Sequence, residues 1–358
     1  VVAGYLQRLS SWLVEAGGHH EDVEIRELGE MRGVVATRPI TRGSEVARIP
    51  RSLLITLQTA LGRLEERQVR VAELELSSDN ARFAVWLLVE RGDPRSVFQP
   101  YFDALPQSLP RFPINAASAD RALLDGSLAG AMLDRLRADL EADHAKLVAG
   151  VPMFRSLGLD EFVWARMCVG SRSFGLGIDG RDATVLVPFV DMVNHERDPN
   201  TRWDYDPEGQ AFRLIAQRAY QPGEEVCCNY GRRPNVYLLL HYGFCIDDND
   251  ADEALLSSTE QVRVRRNTDE PSAQLMLAKL RARYRDEAKV RAALADAAHA
   301  GLARFSTTLA EDQALLAAGK LSADARNFIV TRLGEKRVLH AWLEFATDGP
   351  AELFRWPA

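Results

Sequence analysis

The sequence is poor in the features that would point to metal, membrane or nucleic acid. Its 358 residues include only four cysteines, Cys168, Cys227, Cys228 and Cys245, with no Cys-x-x-Cys pair. Cys227 and Cys228 are neighbours on an expected strand, so their side chains point to opposite faces, which suits neither a shared zinc ion nor a disulfide framework. Buried free thiols in a reducing compartment are the reading, and no metal site is expected. Long apolar runs are missing: Ala84 to Val89 (AVWLLV) is far shorter than a membrane span. Basic residues do not prevail either. Forty-four Lys and Arg against 51 Asp and Glu give a net charge of −7, leaving no broad cationic face for phosphates. Neither nucleic acid nor membrane is an expected partner. No repeat, low-complexity segment or secretory or transit signal stands out, and the chain, which starts at Val1, reads as a trimmed or mature form.

The length is enough for two domains with ample core. Residues 1 to 18 have apolar positions at Tyr5-Leu6, Leu9 and Trp12-Leu13, a helical spacing that stops at Gly17-Gly18. From Val23 to Leu54 short β-like runs alternate with Gly29, Gly33 and Gly43, predicting a small irregular β fold. Between about 56 and 165 the character is helical. Ala81 to Arg91 is one amphipathic segment with Asn80 as its cap, and Leu123 to Leu147 is another. Residues 162 to 174 predict a helix leading into the core strands. Past Asp252 the chain is Ala-, Leu- and Arg-rich with helical spacing. Phe328, Ile329, Leu333, Leu339, Trp342 and Leu343 form one stripe there, with Ser322 as cap.

The stretch from Val187 to Phe244 carries the chemistry. Val185 to Val190 is a short apolar run whose Pro188 suits an edge strand or strand entrance. It delivers Asp191, Asn194 and His195, followed by turn-forming residues. Such a cluster either closes a turn or faces a ligand. Ala211 to Ala216 and Glu225 to Asn229 predict two strands separated by Pro222-Gly223. The second ends at Tyr230-Gly231, where a phenol can point into a cleft.

Asp191-Met-Val-Asn-His195, Gly223-Glu-Glu225 and Asn229-Tyr-Gly231, followed by a helix to His241-Tyr-Gly-Phe244, resemble in order and spacing the C-terminal half of a SET domain. The branch resembled is that of the Rubisco large-subunit methyltransferase and its non-histone relatives. Gly33 to Ile40, Gly43 to Val46, Ile49 to Leu54, Phe98-Gln-Pro-Tyr101, Leu105-Pro106 and Ser171-Arg-Ser-Phe174 are similar to the rest of that pattern. The motifs cover roughly residues 20 to 250. Zinc clusters that flank histone-directed members have no counterpart here.

The resemblance implies an α+β architecture: an irregular β-rich SET fold over residues 1–250 with a helical insertion at about 56–165, then an all-α substrate-binding domain over 251–358. It implies S-adenosylmethionine as cofactor and a protein substrate, with the chain acting as a monomer. The location implied is an intracellular reducing compartment: cytoplasm, nucleus or chloroplast stroma. Tyr230 takes the catalytic position. Glu30 and Arg32 match an early loop around the cofactor, although Met31 replaces a usual glycine. Arg172 matches the arginine on the methionine carboxylate, Asn194 and His195 the pair at the α-amino group and adenine, with Asp191 supporting them. Tyr242 matches an aromatic closing over the cofactor. Phe174, Val190 and Tyr205, with Trp203, occupy acceptor-channel positions.

A lysine of ordinary pKa, about 10.4, lies roughly 4 kcal/mol from losing its proton at neutral pH, so an acceptor channel must be apolar and dry. The histidine-methylating members carry a polar amide and a tryptophan where Phe174 and Val190 stand. Phenylalanine with a small aliphatic fits a lysine stem. The expected activity is protein-lysine N-methylation of a non-histone target. Histidine methylation, or a silent scaffold that binds protein, are the alternatives.

Overall fold

The computed structural model describes residues 2–29, 31–198, 200–257, 262–266 and 271–348. Two compact units result, Val1–Leu109 with Asp139–Arg232, and Pro110–Ala138 with Arg233–Ala358.

In chain order the elements begin with helix α1 (Val2–Glu15), which buries Leu9 and Leu13 one turn apart. Strands β1 (Val23–Leu28), β2 (Met31–Ala36), β3 (Glu45–Pro50) and β4 (Ile55–Thr56) follow. Next come α2 (Leu57–Glu66), α3 (Asp79–Arg91), α4 (Gln99–Ala104), the one-turn α5 (Ser118–Arg121), α6 (Leu128–Gly150) and α7 (Leu159–Gly170). The second set of strands is β5 (Ser173–Ile178), β6 (Arg181–Leu186), β7 (Asn194–His195), β8 (Thr201–Asp206), β9 (Ala211–Ala216) and β10 (Glu225–Cys228). The chain continues through α8 (Asn235–Tyr242), β11 (Glu253–Ser257), β12 (Val262–Arg265), α9 (Pro271–Tyr284), α10 (Glu287–Leu302), α11 (Leu309–Ala318) and α12 (Ala323–Asp348).

Three small sheets build the first unit, in the orders β1-β2-β10-β7, β3-β9-β8 and β4-β6-β5. All pairs are antiparallel except β10 with β7. The run Val185 to Val190, expected as an edge strand or a strand entrance, begins at the end of β6, which is central in its sheet and stops at Leu186, two residues before Pro188. The proline therefore removes no ladder hydrogen bond. β9 and β10 flank the expected turn at Gly223 (φ +92°) but do not pair with each other; each joins a different sheet.

Helix starts differ in detail from the sequence reading. α3 is capped by Ser78, whose hydroxyl accepts from the Ala81 N–H at 3.3 Å, and Asn80 lies inside the first turn. The segment expected from Leu123 is broken before Leu128. There Gly126 takes φ +78°, and a Cβ on it would sit 2.0 Å from the Arg304 carbonyl oxygen.

The second unit is mostly helical, but the antiparallel pair β11–β12 stands where helix was expected directly after Asp252. Its main core joins Val290, Leu294 and Ala298 of α10 to Leu339, Trp342 and Ala346 of α12. Ser322 caps α12 by accepting from the Ala325 N–H at 3.1 Å. The apolar stripe of α12 is buried at Phe328, Ile329, Leu333, Leu339 and Trp342, and on the same helix Arg332, Glu335 and Lys336 are buried too.

Candidate active site

Beyond β6 the chain enters a tight turn. Phe189 adopts φ +74°, costly for a residue with a Cβ, and the His20 ring stacks on it with centroids 4.4 Å apart. A single 3-10 turn then buries Val190, Asp191 and Met192. β7 follows, and its parallel pairing sets Asn194 opposite Cys227 and His195 opposite Cys228. That pairing draws Tyr230, two residues past β10, onto the turn. Its hydroxyl donates to the Val193 carbonyl at 2.7 Å, and its backbone N–H donates to His195 Nδ1 at 3.0 Å. With Nδ1 accepting, a neutral His195 carries its proton on Nε2. Burial holds the His195 pKa below its ordinary value, with Arg197 adding to the shift and the Cys228 carbonyl opposing it.

Arg172 leaves the end of α7 and meets Asp191. One guanidinium nitrogen, Nη1, lies 3.5 Å from the Asp191 carbonyl oxygen, while Nε is sealed from solvent without an acceptor. Asp191 is 6% exposed. Its Oδ2 accepts from the Tyr101 hydroxyl at 2.6 Å, and Oδ1 accepts nothing. Burial raises the Asp191 pKa to about 6 against the pull of Arg172, Tyr101 and Arg32. For Arg172, burial acts downward, but Cys168, Asp191, Tyr101 and Tyr230 outweigh it and the guanidinium stays charged.

Arg32 completes the cluster from β2. Its Nη1 donates to the Ala104 carbonyl at 2.9 Å, and its own carbonyl accepts from Asn194 Nδ2 at 2.9 Å. Burial, then repulsion from Arg172, lowers the Arg32 pKa. The Asn194 amide also donates to Glu225 Oε1 at 2.7 Å. Gly33 makes room for this bridge: a Cβ there would lie 2.3 Å from Glu225 Oε1 and 2.9 Å from Asn194 Nδ2.

Arg32, Arg172, Asp191, Asn194, His195 and Tyr230 thus form one connected group. Glu30 lies outside the described residues. Tyr242 belongs to the second unit, at the end of α8, with its ring 6.1 Å from Tyr237 and 6.2 Å from Phe244. Phe174, on β5, meets Trp203 and Phe212 edge to face at 5.5 and 5.6 Å. Val190 is fully buried. Tyr205 stands opposite Phe212 in the ladder and commits its hydroxyl to Arg51 at 3.0 Å and Gln210 at 3.3 Å. Two residues hydrogen-bonded to this group, Tyr101 and Glu225, carried no site role in the sequence reading. Glu225 was visible only as part of a Gly-Glu-Glu turn, and Tyr101 only as part of a Phe-Gln-Pro-Tyr motif.

Arg172 Nε and Asp191 Oδ1 are both buried without a partner, and a donor and an acceptor of this kind match in chemistry the carboxylate and ammonium of an amino-acid-like ligand. Tyr230 Oη, its hydrogen directed at Val193, is an acceptor toward any other group. The arrangement can hold an amino-acid-like end and orient an N–H beside it.

The SET domain family model matches residues 31–231, and the Rubisco LSMT substrate-binding model matches residues 244–339. The chain is 26% identical to the actin-histidine N-methyltransferase of Canis lupus familiaris, over 94% of this chain and 68% of that protein. It is 25% identical to SET domain-containing protein 4 of Artemia parthenogenetica, over 68% of this chain and 63% of the relative. Among solved structures it resembles the SET domain of LSMT bound to lysine and AdoHcy, with a TM-score of 0.80 and 21% identity, covering 98% of this chain and 92% of that one. Rubisco LSMT bound to AdoMet is similar at a TM-score of 0.75 and 22% identity, with coverage of 98% and 93%.

Proposed function

This chain belongs to the SET-domain family, and we propose that it is an S-adenosylmethionine-dependent protein methyltransferase that modifies a lysine of a non-histone protein. The observation that carries the cofactor reading is the buried pair left over in the cradle, Arg172 Nε and Asp191 Oδ1. A zwitterionic amino-acid end satisfies both at once, and the solved relatives that bind AdoMet or AdoHcy support the choice. Arg172 and Asp191 would hold that end, with Arg32, Asn194 and His195 around it. S-adenosylmethionine, when bound, supplies a methyl group already activated by a cationic sulfur.

The chain's own residues then have three tasks. Tyr230 accepts an N–H of the incoming amine at Oη and orients its nitrogen. A neutral phenol does this without the fixed negative charge that would hold a proton on an ammonium. Phe174, Trp203 and Phe212 supply an apolar wall for a lysine stem and exclude water.

The relatives' names favour histidine as the acceptor. An imidazole acceptor carries a second ring nitrogen that needs a polar partner in the channel. Beside Phe174 the Trp203 indole N–H already donates to the Gly175 carbonyl at 3.4 Å. This supports lysine. Catalysis is assigned to the first unit and recognition of the target protein to the second, with the chain working as a monomer. The test is to incubate the purified chain with isotope-labelled S-adenosylmethionine and candidate protein substrates, then locate the label by mass spectrometry. Label on a lysine Nζ is the expected result, and label on a histidine ring nitrogen would transfer the assignment to the alternative acceptor.

A further inference from the structure

The Tyr101 side chain is 1% exposed and comes from α4, in the helical insertion, 90 positions before its partner. Its ring is 6.0 Å from Phe102, and Phe102 and Phe98 pack around Trp86 at 5.6 and 5.7 Å. The phenol therefore stands on a rigid aromatic base. Its hydroxyl reaches out of that base to Asp191 Oδ2 at 2.6 Å, choosing a side-chain carboxylate over any backbone carbonyl. A hydrogen bond to one oxygen restrains rotation of the carboxylate and with it the orientation of the second oxygen.

We propose that Tyr101 is a positioning residue for the cofactor site: it clamps Asp191 so that Oδ1 stays presented to the ligand's ammonium, beside Arg172. The inference rests on the S-adenosylmethionine reading above and extends it to a residue of the insertion. The groups facing Asp191 are Arg172 and Cys168 from α7 and its end, Arg32 from β2, and Tyr101 from α4. Of these, Tyr101 donates a side-chain hydrogen bond to the Asp191 carboxylate, and that bond favours the ionised form. Without it, Asp191 takes up a proton at higher pH, and the acceptor for the ammonium is lost sooner on acidification.

The test is calorimetric titration of S-adenosylmethionine into the full chain between about pH 5 and 8. Wild type binds, with affinity falling toward acid pH. Failure of the wild type to bind overturns the cofactor reading and this inference with it. In Tyr101→Phe the affinity at neutral pH drops about tenfold, and the acid-side midpoint moves to higher pH. An unchanged midpoint, with or without a uniform loss of affinity, overturns the role and leaves Tyr101 a packing residue. If Tyr101→Phe does not fold, Asp191→Asn serves instead. It removes the titrating group, so the acid-side loss of affinity flattens, whereas a retained wild-type slope rejects the clamp.

Discussion

Two buried aspartates, one in each unit, sit among similar neighbours and are finished differently. Asp312, fully buried, takes a two-pronged contact from Arg332 at 3.0 and 2.5 Å, and Lys336 Nζ at 2.7 Å. The Thr307 hydroxyl donates to it at 2.9 Å. Arg332 turns its remaining nitrogen to the Leu123 carbonyl at 2.9 Å, and Lys336 also reaches the Thr307 carbonyl at 2.6 Å. Asp191 likewise has two cations near it, Arg172 and Arg32, and one hydroxyl, that of Tyr101. Yet there an acceptor and a donor are left over. Burying a polar group without a partner costs on the order of 1–3 kcal/mol, so the second cluster is incomplete where the first is complete. Other buried polar atoms lack a hydrogen-bond partner too: the Trp86 indole nitrogen lies among aromatic rings, and Glu90 Oε1 has the Arg67 guanidinium at 2.9 Å. On the proposed reading, the Asp312 cluster holds a fold and the Asp191 cluster takes a ligand.

Substitutions can sharpen or break that contrast. The largest effect belongs to Tyr230→Phe, which should lower methyl transfer by about 10²- to 10⁴-fold while S-adenosylmethionine binding and unfolding midpoint stay near wild type. Wild-type turnover in the variant would remove Tyr230 from the chemistry. Next is Asp312→Ala, which strands two buried cations and should cost about 3 kcal/mol or more of stability in urea unfolding. A loss well below that would mean the complete cluster contributes little. Arg172→Ala should behave in the opposite sense. We expect affinity for S-adenosylmethionine to fall about a hundredfold with stability changed by only about 1 kcal/mol, because the lost guanidinium takes an unsatisfied donor with it. Severe unfolding without a specific binding defect would make the two clusters alike.

The smallest effect is a pH slope in the second unit. Asp252 and Glu335 are raised by burial to about 7 and about 8, although backbone N–H groups of Asn235, Leu128 and Ala129 pull each toward the charged form. Unfolded carboxylates titrate near about 4, so between the two values the folded chain holds protons that the unfolded chain has lost. This contribution is full in acid and disappears as pH rises through about 7 to 8. Urea unfolding should show it declining from about pH 5 to 8, and Glu335→Gln should flatten the upper part of the slope. An identical slope in the variant would reject the assignment.

The residues legible in the sequence are those whose partners lie close in the chain or whose types are diagnostic together. Asp191, Asn194 and His195 fall within five positions, and Tyr230 follows, by two residues, a β strand that was itself recognisable. Tyr101 and Glu225 escaped because their roles come from tertiary distance: one partner is 90 residues away and the other 31. Secondary structure misled where local propensity was overridden. Glu253-Ala-Leu-Leu reads as helix, but pairing with Val262–Arg265 makes it a strand. Ser78 wins the α3 cap over Asn80 because its hydroxyl can reach a free first-turn N–H from outside the helix. The buried charges of α12 were invisible for a related reason. Arg332, Glu335 and Lys336 look like a solvated face until α11 and the segment around Leu128 pack onto them.

Thermal unfolding with and without S-adenosylmethionine tests the central claim most directly. A ligand that completes the Asp191 cluster binds the folded chain alone and must raise its midpoint. The account predicts a dose-dependent rise for wild type that vanishes in Arg172→Ala. A wild-type midpoint indifferent to saturating S-adenosylmethionine would contradict it.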